Sequence, residues 1–118
     1  MNWLDTPQLK LLERYLDVTS MRQSLVSTNL ANIDTPGYHA RDVDFRGELQ
    51  RAFNGEPAGI TSPFVMPVPG LMERPDGNNV SADRESLLLA ELQLQYKAAT
   101  AVIRAQFAQL TTAIREGQ

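Results

Sequence analysis

Few side chains in this sequence have the types and spacing that chemistry requires. The 118 residues include no cysteine and a single histidine, His39, which excludes thiol catalysis, disulfides and cysteine-based zinc sites. No second candidate ligand stands beside His39 in the chain, so a structural or surface role is favoured over metal binding. The sequence also has no phosphate-binding loop, dinucleotide fingerprint or nucleophile elbow. These patterns predict a protein that is not an enzyme and that holds no cofactor.

Three acidic residues, Asp42, Asp44 and Glu48, are close enough in the sequence to suggest a cation site. They lack the glycine and the ligand spacing of a calcium-binding loop. The sequence therefore favours either a solvated acidic edge or pairing with the neighbouring Arg41 and Arg46, and it predicts no metal site.

Charge and hydropathy exclude two classes of partner. The chain has 14 acidic and 11 basic residues and a formal net charge of -3, whereas nucleic-acid-binding surfaces are normally basic. No stretch approaches the roughly 18 consecutive apolar residues of a membrane span. The first residues also lack the basic and apolar regions of a cleaved secretory signal. We therefore expect no nucleic-acid partner, no direct membrane span and no cleaved signal peptide.

Proline and glycine divide the chain into three parts. Five of the seven glycines and five of the seven prolines fall between residues 47 and 77, and residues 8–35 and 78–116 contain neither. Prolines also prevent the stretch 63–70 from forming a central strand. The expected fold is mainly α, an elongated antiparallel coiled-coil hairpin of two helices with an irregular Pro/Gly-rich middle and a short β segment. The predicted parts of this single unit, 1–118, are an N-terminal helix over about 7–33, a turn and irregular middle over 34–80, and a C-terminal helix over about 82–116.

The N-terminal helix has a defined start and an apolar face. Thr6 is a suitable cap, and Pro7 suits the first helical position. Trp3 and Leu4 precede this cap, and they either staple the start of the helix or anchor it to a neighbouring molecule. Apolar residues then recur at a spacing of about 3.5 residues, as in a coiled coil. The seam between the two helices is predicted to take from this helix Leu9, Leu12, Leu16, Val26 and Leu30.

The C-terminal helix has two apolar faces instead of one. Ser81 is a suitable cap, and Asp83 and Glu85 suit the positive end of the helix dipole. This helix is predicted to contribute to the seam the residues Leu92, Tyr96, Ile103, Phe107 and Leu110. The opposite face is made of small and apolar side chains, which are Leu87, Leu94, Ala98, Ala101, Ala105 and Ala108.

A helix with two such faces needs neighbours on both sides, yet the chain has only one other long helix. At about 1.5 Å per residue, the stretch 82–116 forms a helix about 50 Å long. A compact globule of this chain length is roughly 35 Å across and cannot enclose it. We therefore predict that the second apolar face is an intersubunit contact. The alternative is a soluble two-helix hairpin in which the alanines are only helix-favouring residues.

A tight turn follows the N-terminal helix. Thr35-Pro36-Gly37-Tyr38 fits a type II turn, with proline at the second position and Gly37 supplying the positive φ of the third. After the turn, Val43 and Phe45 alternate with acidic residues, and this alternation predicts a short half-buried strand.

The turn belongs to a run that resembles a known signature. The N-terminal signature of bacterial flagellar rod and hook proteins is similar to Ala31-Asn32-Ile33-Asp34-Thr35-Pro36-Gly37-Tyr38. The residues that follow this run, together with the short chain length, most resemble the members of the proximal rod. Residues 77–80 and Gln95-Tyr96-Lys97-Ala98-Ala99 resemble their C-terminal region. His39 departs from the lysine that is usual in the family. The positions that carry the turn motif are Ala31, Asn32, Thr35, Pro36, Gly37, Tyr38 and Phe45.

The resemblance implies a structural subunit of the flagellar basal body, built into the axial rod that serves bacterial motility. Family members are exported unfolded by the flagellar type III apparatus, without a cleaved signal, and form the rod in the periplasmic space. Their terminal helices pack into a homo-oligomeric coiled-coil tube. The implied partners are other copies of the chain, other rod proteins, the membrane-embedded basal ring and a small rod adapter protein.

The alternative function is a small helical adapter or export chaperone that binds amphipathic helices of partner proteins. Such a protein would be a stable folded dimer in solution and would not need the run 32–45. Circular dichroism of the dilute chain separates the two hypotheses. Weak helicity indicates a subunit that orders on assembly, and a cooperative, highly helical melt indicates the adapter.

Overall fold

The computed structural model describes residues 6–55 and 65–117, and it confirms an elongated, mainly helical molecule. Its principal extents are 68 × 27 × 18 Å and its radius of gyration is 18.2 Å, against about 13 Å for a compact chain of this length. None of the helices in these two ranges is both long and apolar enough to cross a membrane. The elements in chain order are α1 (Pro7–Ala31), β1 (Arg41–Val43), α2 (Phe45–Phe53), β2 (Val65–Pro67) and α3 (Ala82–Glu116). Trp3 and Leu4 lie outside the described residues.

Both long helices begin at the residues that the sequence marks as caps. The side-chain oxygen of Thr6 accepts a hydrogen bond from the backbone nitrogen of Leu9 at 3.1 Å. The Ser81 hydroxyl accepts one from the backbone nitrogen of Arg84 at 3.3 Å. Each bond satisfies one of the N–H groups that the first helical turn leaves without a partner.

The end of α1 comes two residues before the predicted boundary because Asn32 closes the helix. Its backbone N–H donates to the Thr28 and Asn29 carbonyls at 3.1 and 3.2 Å. Its side-chain Nδ2 donates to the same Thr28 carbonyl at 2.8 Å. An asparagine side chain that bonds back to the backbone of the preceding turn competes with continued helix.

The middle of the chain contains a helix that the sequence did not predict. Phe45 is the first residue of α2, so the expectation that it continues a strand beyond Val43 is wrong. The Asp44 side chain caps α2 by accepting a bond from the Gly47 nitrogen at 3.1 Å. The Phe45 ring packs edge-on against Tyr15 of α1, with centroids 5.2 Å apart. A local cap and a long-range aromatic contact together override the alternating pattern.

Two short antiparallel strands form a small sheet beside α1. Arg41 pairs with Pro67, Asp42 with Met66, and Val43 with Val65. Pro67 stands at the end of this ladder, where its missing N–H costs no hydrogen bond. The prediction that proline excludes a central strand agrees with this arrangement, although residues 56–64 lie outside the described part.

The first helix lies at the centre of the fold, because α1 contacts α3, α2 and β1. Its residues Leu9, Val18 and Val26 are buried, as are Leu92 and Ala99 of α3. The two long helices run antiparallel, since hydrogen bonds join the residues that follow α1 to those that precede α3. With 35 residues against 25, α3 is longer than α1 by about 15 Å.

Candidate functional site

The predicted turn has the backbone geometry that its sequence requires. Gly37 has a φ of +74°, and the Tyr38 nitrogen donates to the Thr35 carbonyl at 3.2 Å. The turn lies against a second one, because the Gly37 nitrogen donates to the Asp76 carbonyl at 2.9 Å. Gly77 has a φ of +85°, and a Cβ there would lie 3.3 Å from the Gly37 Cα. Both glycines are needed for backbone conformation, and one of them also for close packing.

A buried asparagine connects this turn to the start of α3. Asn78 is 0% exposed, and its Nδ2 donates to the carbonyls of Asn32 and Thr35, each at 2.8 Å. Its Oδ1 accepts a bond from the Val80 nitrogen at 2.8 Å, and its own nitrogen donates to the Asp76 carboxylate at 2.9 Å. The side-chain amide therefore uses both of its donors and its acceptor inside the protein.

Two further buried asparagines complete the connection. Asn29 is 1% exposed; its Nδ2 donates to the Arg41 carbonyl at 3.0 Å, and its Oδ1 accepts bonds from the Arg41 nitrogen and the Tyr38 hydroxyl, each at 3.1 Å. The Asn79 Oδ1 accepts a bond from the Ala40 nitrogen at 2.7 Å, and its nitrogen donates to the Tyr38 carbonyl at 3.2 Å. We call Asn29, Asn78, Asn79 and their partners the asparagine junction.

Arg74 adds a cation to the asparagine junction. Its guanidinium donates to the carbonyl of Val80, just before α3, at 3.1 Å, and to the carbonyl of Ile33, just after α1. The last turn of α1 has no basic residue of its own. Arg74 therefore places a positive charge at the negative end of the α1 dipole, where it is favourable.

Sequence patterns indicated only a small part of the asparagine junction. They singled out Asn32 and the turn but missed Asn29 and Arg74, and residues 77–80 entered only as part of a resemblance. Asn29 gave one usable signal, a polar residue three positions after Val26 on the apolar face of α1. The partners of Asn78 are 43 and 46 residues away along the chain, and no local pattern indicates them.

The acidic residues near β1 form intrachain contacts and no cation site. Asp42 does not pair with the neighbouring Arg41 or Arg46, as one alternative predicted, but makes a bidentate contact with Arg22 of α1 at 3.0 and 2.9 Å. Asp44 caps α2. Among residues 6–55 and 65–117, no group of three or more histidine, cysteine and acidic side chains is arranged to hold a metal ion.

Glu48 is a buried carboxylate between two guanidinium groups. It is 2% exposed, and its Oε2 lies 2.6 Å from the Arg14 Nη2. Arg51, three residues later on α2, contacts the other carboxylate oxygen. The pairing fastens α2 to the first half of α1 by a charge-assisted bond, which is stronger than a neutral one.

Replacing Glu48 by glutamine should destabilise the chain. The variant keeps the shape but leaves the Arg14 guanidinium, 15% exposed, without its counter-charge, and the 39% exposed Arg51 loses the same partner. We therefore expect the free energy of unfolding to fall by about 2 to 3 kcal/mol. Urea denaturation followed by circular dichroism measures this change. The exposed Glu13→Gln variant is the control and should change stability by less than about 0.5 kcal/mol. Equal effects of the two substitutions would contradict the assignment.

The only histidine has a partner that the sequence did not reveal. The His39 Nε2 lies 3.0 Å from the Glu73 Oε1, and the two side chains are 46% and 54% exposed. The contact joins the segment before β1 to the loop before α3. Because both side chains are exposed, His39 has a surface role, in which it links these two segments.

The proposed intersubunit face of α3 has no cover from the described part of the chain. Leu87 and Leu94 are 64% and 71% exposed. All the smaller members of this face are exposed as well, namely Ala98, Ala101, Ala105 and Ala108. In water such a surface is unfavourable, and contiguous apolar patches of this kind mark interaction sites.

The predicted seam between α1 and α3 is buried at some positions and partly exposed at others. Leu9, Val26 and Leu92 are buried, whereas Tyr96 and Phe107 are 41% and 44% exposed. The other proposed seam residues are partly buried, namely Leu12, Leu16, Leu30, Ile103 and Leu110. The far half of α3 therefore presents apolar surface on more than one side.

Comparison with known proteins gives the chain its family. A flagellar basal body rod protein FlgB from Salmonella typhimurium is 30% identical over 129 aligned residues, which cover 92% of this chain and 94% of the relative. FlgB of Borrelia hermsii is 32% identical, with 89% of this chain and 93% of the relative covered. FlgB of Escherichia coli is 29% identical at 92% and 94% coverage.

This chain belongs to the FlgB family of flagellar basal body rod proteins. No family model matches it. Because the alignments cover about nine tenths of the chain, the relationship spans α1, the asparagine junction and α3. The FlgB family is structural, so this member is a structural protein and not an enzyme.

Proposed function

We propose that this FlgB-family chain is a structural subunit of the proximal rod, and that it assembles through its two long helices. The uncovered face of α3 is the observation that carries this proposal. Leu94 is 71% exposed, and the alanines that follow it on the same face are exposed too. Small side chains let helix backbones approach closely, so this face suits contact with helices of neighbouring subunits.

The asparagine junction and α2 have a different part in this proposal. The junction holds α1 and α3 together at one end by hydrogen bonds within the chain, and α2 packs on α1. Beyond the junction, the two long helices pack against neighbours in a coiled-coil tube. The proposed partners are other copies of the chain, other rod proteins, the membrane-embedded basal ring and the rod adapter protein. Delivery by the flagellar type III apparatus, without a cleaved signal peptide, places the rod in the periplasmic space.

Fractionation of flagellated cells tests this function. An epitope-tagged chain expressed in a strain that lacks the gene should restore motility and co-purify with detergent-extracted basal bodies. Within these particles the tag should lie at the rod base, next to the membrane ring, as seen by immunogold labelling. A tag that stays in the cytoplasmic fraction bound to another flagellar protein, with rods that lack it, would support the export chaperone instead.

The same strain tests the mode of delivery. We expect the chain recovered from basal bodies to have the same N-terminus and mass as the chain in the cytoplasm. Its appearance outside the cytoplasmic membrane should cease when the ATPase of the flagellar export apparatus is deleted. A shortened N-terminus, or delivery that persists after this deletion, would contradict export by the type III route.

A further inference from the structure

The proposed intersubunit face of α3 has a basic edge. Lys97 and Arg104 are one heptad apart in the sequence, and residues at this spacing lie on the same side of a helix. Both residues are exposed. No hydrogen bond or ion pair joins either side chain to residues 6–55 and 65–117. These two cations, which we call the basic pair, therefore border the face that the proposed function assigns to a neighbouring subunit.

The first helix presents the opposite charge on its own uncovered side. Glu13 and Asp17 of α1 are exposed, and their carboxylates also have no partner among the described residues. We call them the acidic pair. The exposed residues that follow on the same side of α1 are small, namely Ser20, Ser24 and Ser27. This side of α1 is therefore a narrow polar strip with two carboxylates toward its beginning.

The acidic pair and the basic pair lie at similar distances from the asparagine junction. At about 1.5 Å per residue, Glu13 and Asp17 are about 27 and 21 Å before the end of α1. Lys97 and Arg104 are about 22 and 33 Å after the start of α3. The junction joins these two helix ends. When two copies stand side by side in the same orientation, the carboxylates of one are therefore level with the cations of the other.

The acidic residue on the same side of α3 also fits such a neighbour. Glu91 is about 14 Å from the start of α3, and Ser20 and Ser24 are about 17 and 11 Å from the end of α1. A neighbouring α1 at the same height opposes Glu91 with serine hydroxyls, which can donate hydrogen bonds to a carboxylate. Residues 18–27 of α1 include no acidic side chain that would repel it.

We infer that the outward face of α3 binds the uncovered side of α1 in the next copy of the chain, with the basic pair of one copy beside the acidic pair of the other. The inference rests on the proposed function and deepens it by naming the surface that covers α3. Two different patches then meet at every contact, so copies add head to tail into a ring or a helical filament. An antiparallel pair of α3 helices is the alternative, and it would bring two basic pairs together, where like charges repel.

Charge reversal tests this pairing in assembled rods. Reversal of the acidic pair (Glu13→Lys with Asp17→Lys) should lower incorporation into purified basal bodies at least about fivefold, because like charges then adjoin in the contact. Reversal of the basic pair (Lys97→Glu with Arg104→Glu) should have the same effect. The variant with all four changes should return to within about twofold of the natural chain, because opposite charges adjoin again.

The matched control combines the reversed acidic pair with Arg41→Glu and Arg46→Glu, which change two exposed arginines outside the contact. It has the same net charge as the variant with all four changes but keeps the natural basic pair. We expect it to remain as defective as the reversed acidic pair alone. Rescue by this control, or no rescue by the variant with all four changes, would overturn the inference.

Cross-linking gives a second readout that leaves the charges intact. The chain has no cysteine, so Ser24→Cys on α1 can be combined with Ala90→Cys on α3, both at exposed positions. The two sites are about 11 and 12 Å from the junction ends of their helices. In basal bodies a short bismaleimide should join the double variant into a ladder of dimers, trimers and larger species. Either single variant should give no product larger than a dimer, because only two different patches link copies in series.

The two readouts separate this inference from the proposed function. Double-cysteine chains that enter basal bodies but give no product beyond the dimer would overturn the inference and leave the proposed function standing. Absence of the natural chain from basal bodies would overturn the proposed function, and the inference with it.

Discussion

Cells whose only copy of this chain carries Ala101→Glu should be non-motile and should lack rods that contain the chain. Ala101 is exposed in the isolated chain, so a charge there changes monomer stability by less than about 0.5 kcal/mol. In an assembled tube the same carboxylate would be buried between helices, where an unpaired charge costs several kcal/mol. We therefore expect incorporation into purified basal bodies to fall by at least tenfold, which corresponds to about 1.4 kcal/mol per contact.

The measurement is quantitative immunoblotting of purified basal bodies against the amount of chain in whole cells. Gln50→Glu is the matched control, because it adds the same charge at an exposed position of α2. The control should assemble normally. Normal rods in the Ala101→Glu strain would show that this face of α3 stays solvated in the assembly, and the proposed intersubunit face would then be abandoned.

Gly37→Val should reduce assembly more than export. Gly37 has a φ of +74°, and the place that a Cβ would occupy is open space. The cost is therefore backbone strain alone, about 1 to 2 kcal/mol and more for a β-branched residue. The Gly37 nitrogen is bonded to the Asp76 carbonyl, so relief of the strain would move the turn away from the asparagine junction. Export of an unfolded chain is unaffected by this strain, because the turn is not formed. In the assembled rod the strain is present in every subunit.

The assay compares secreted chain with rod-incorporated chain for Gly37→Val and for His39→Lys as the control. A lysine ammonium at this position can pair with the exposed Glu73 carboxylate that His39 contacts. We expect a ratio of incorporated to secreted chain at least about fivefold lower for the valine variant. If Gly37→Val assembles normally and His39→Lys does not, the His39 side chain, and not the backbone of the turn, is what assembly requires.

The starts of α1 and α3 could be predicted from the sequence because they depend on neighbouring residues. Thr6 and Ser81 cap the first turns of their own helices, and proline and glycine are absent from the long helical stretches. The positive φ of Gly37 follows from a four-residue turn pattern in the same way. Interactions within four residues can be read from spacing, since the chain itself brings the groups together.

Contacts between distant residues could not be predicted in this way. Asp42 has arginines nearby in the sequence, yet it binds Arg22, twenty residues away. Phe45 begins a helix because of the Asp44 cap and the ring of Tyr15. The alternation of apolar and acidic residues is also compatible with a strand in this segment. Packing of Phe45 against α1 favours the helix over the strand.

The sequence by itself determined that α3 is long, begins at Ser81 and has two apolar faces, because helix length and side-chain direction follow from local periodicity. Only the tertiary structure decided how the start of α3 is joined to the residues that follow α1. That connection is made by Asn78, whose side-chain amide donates to carbonyls 43 and 46 residues earlier. Apolar periodicity repeats within a few residues and can be read from the sequence, whereas the hydrogen-bond partners of a buried amide lie far along the chain and are known only once it has folded.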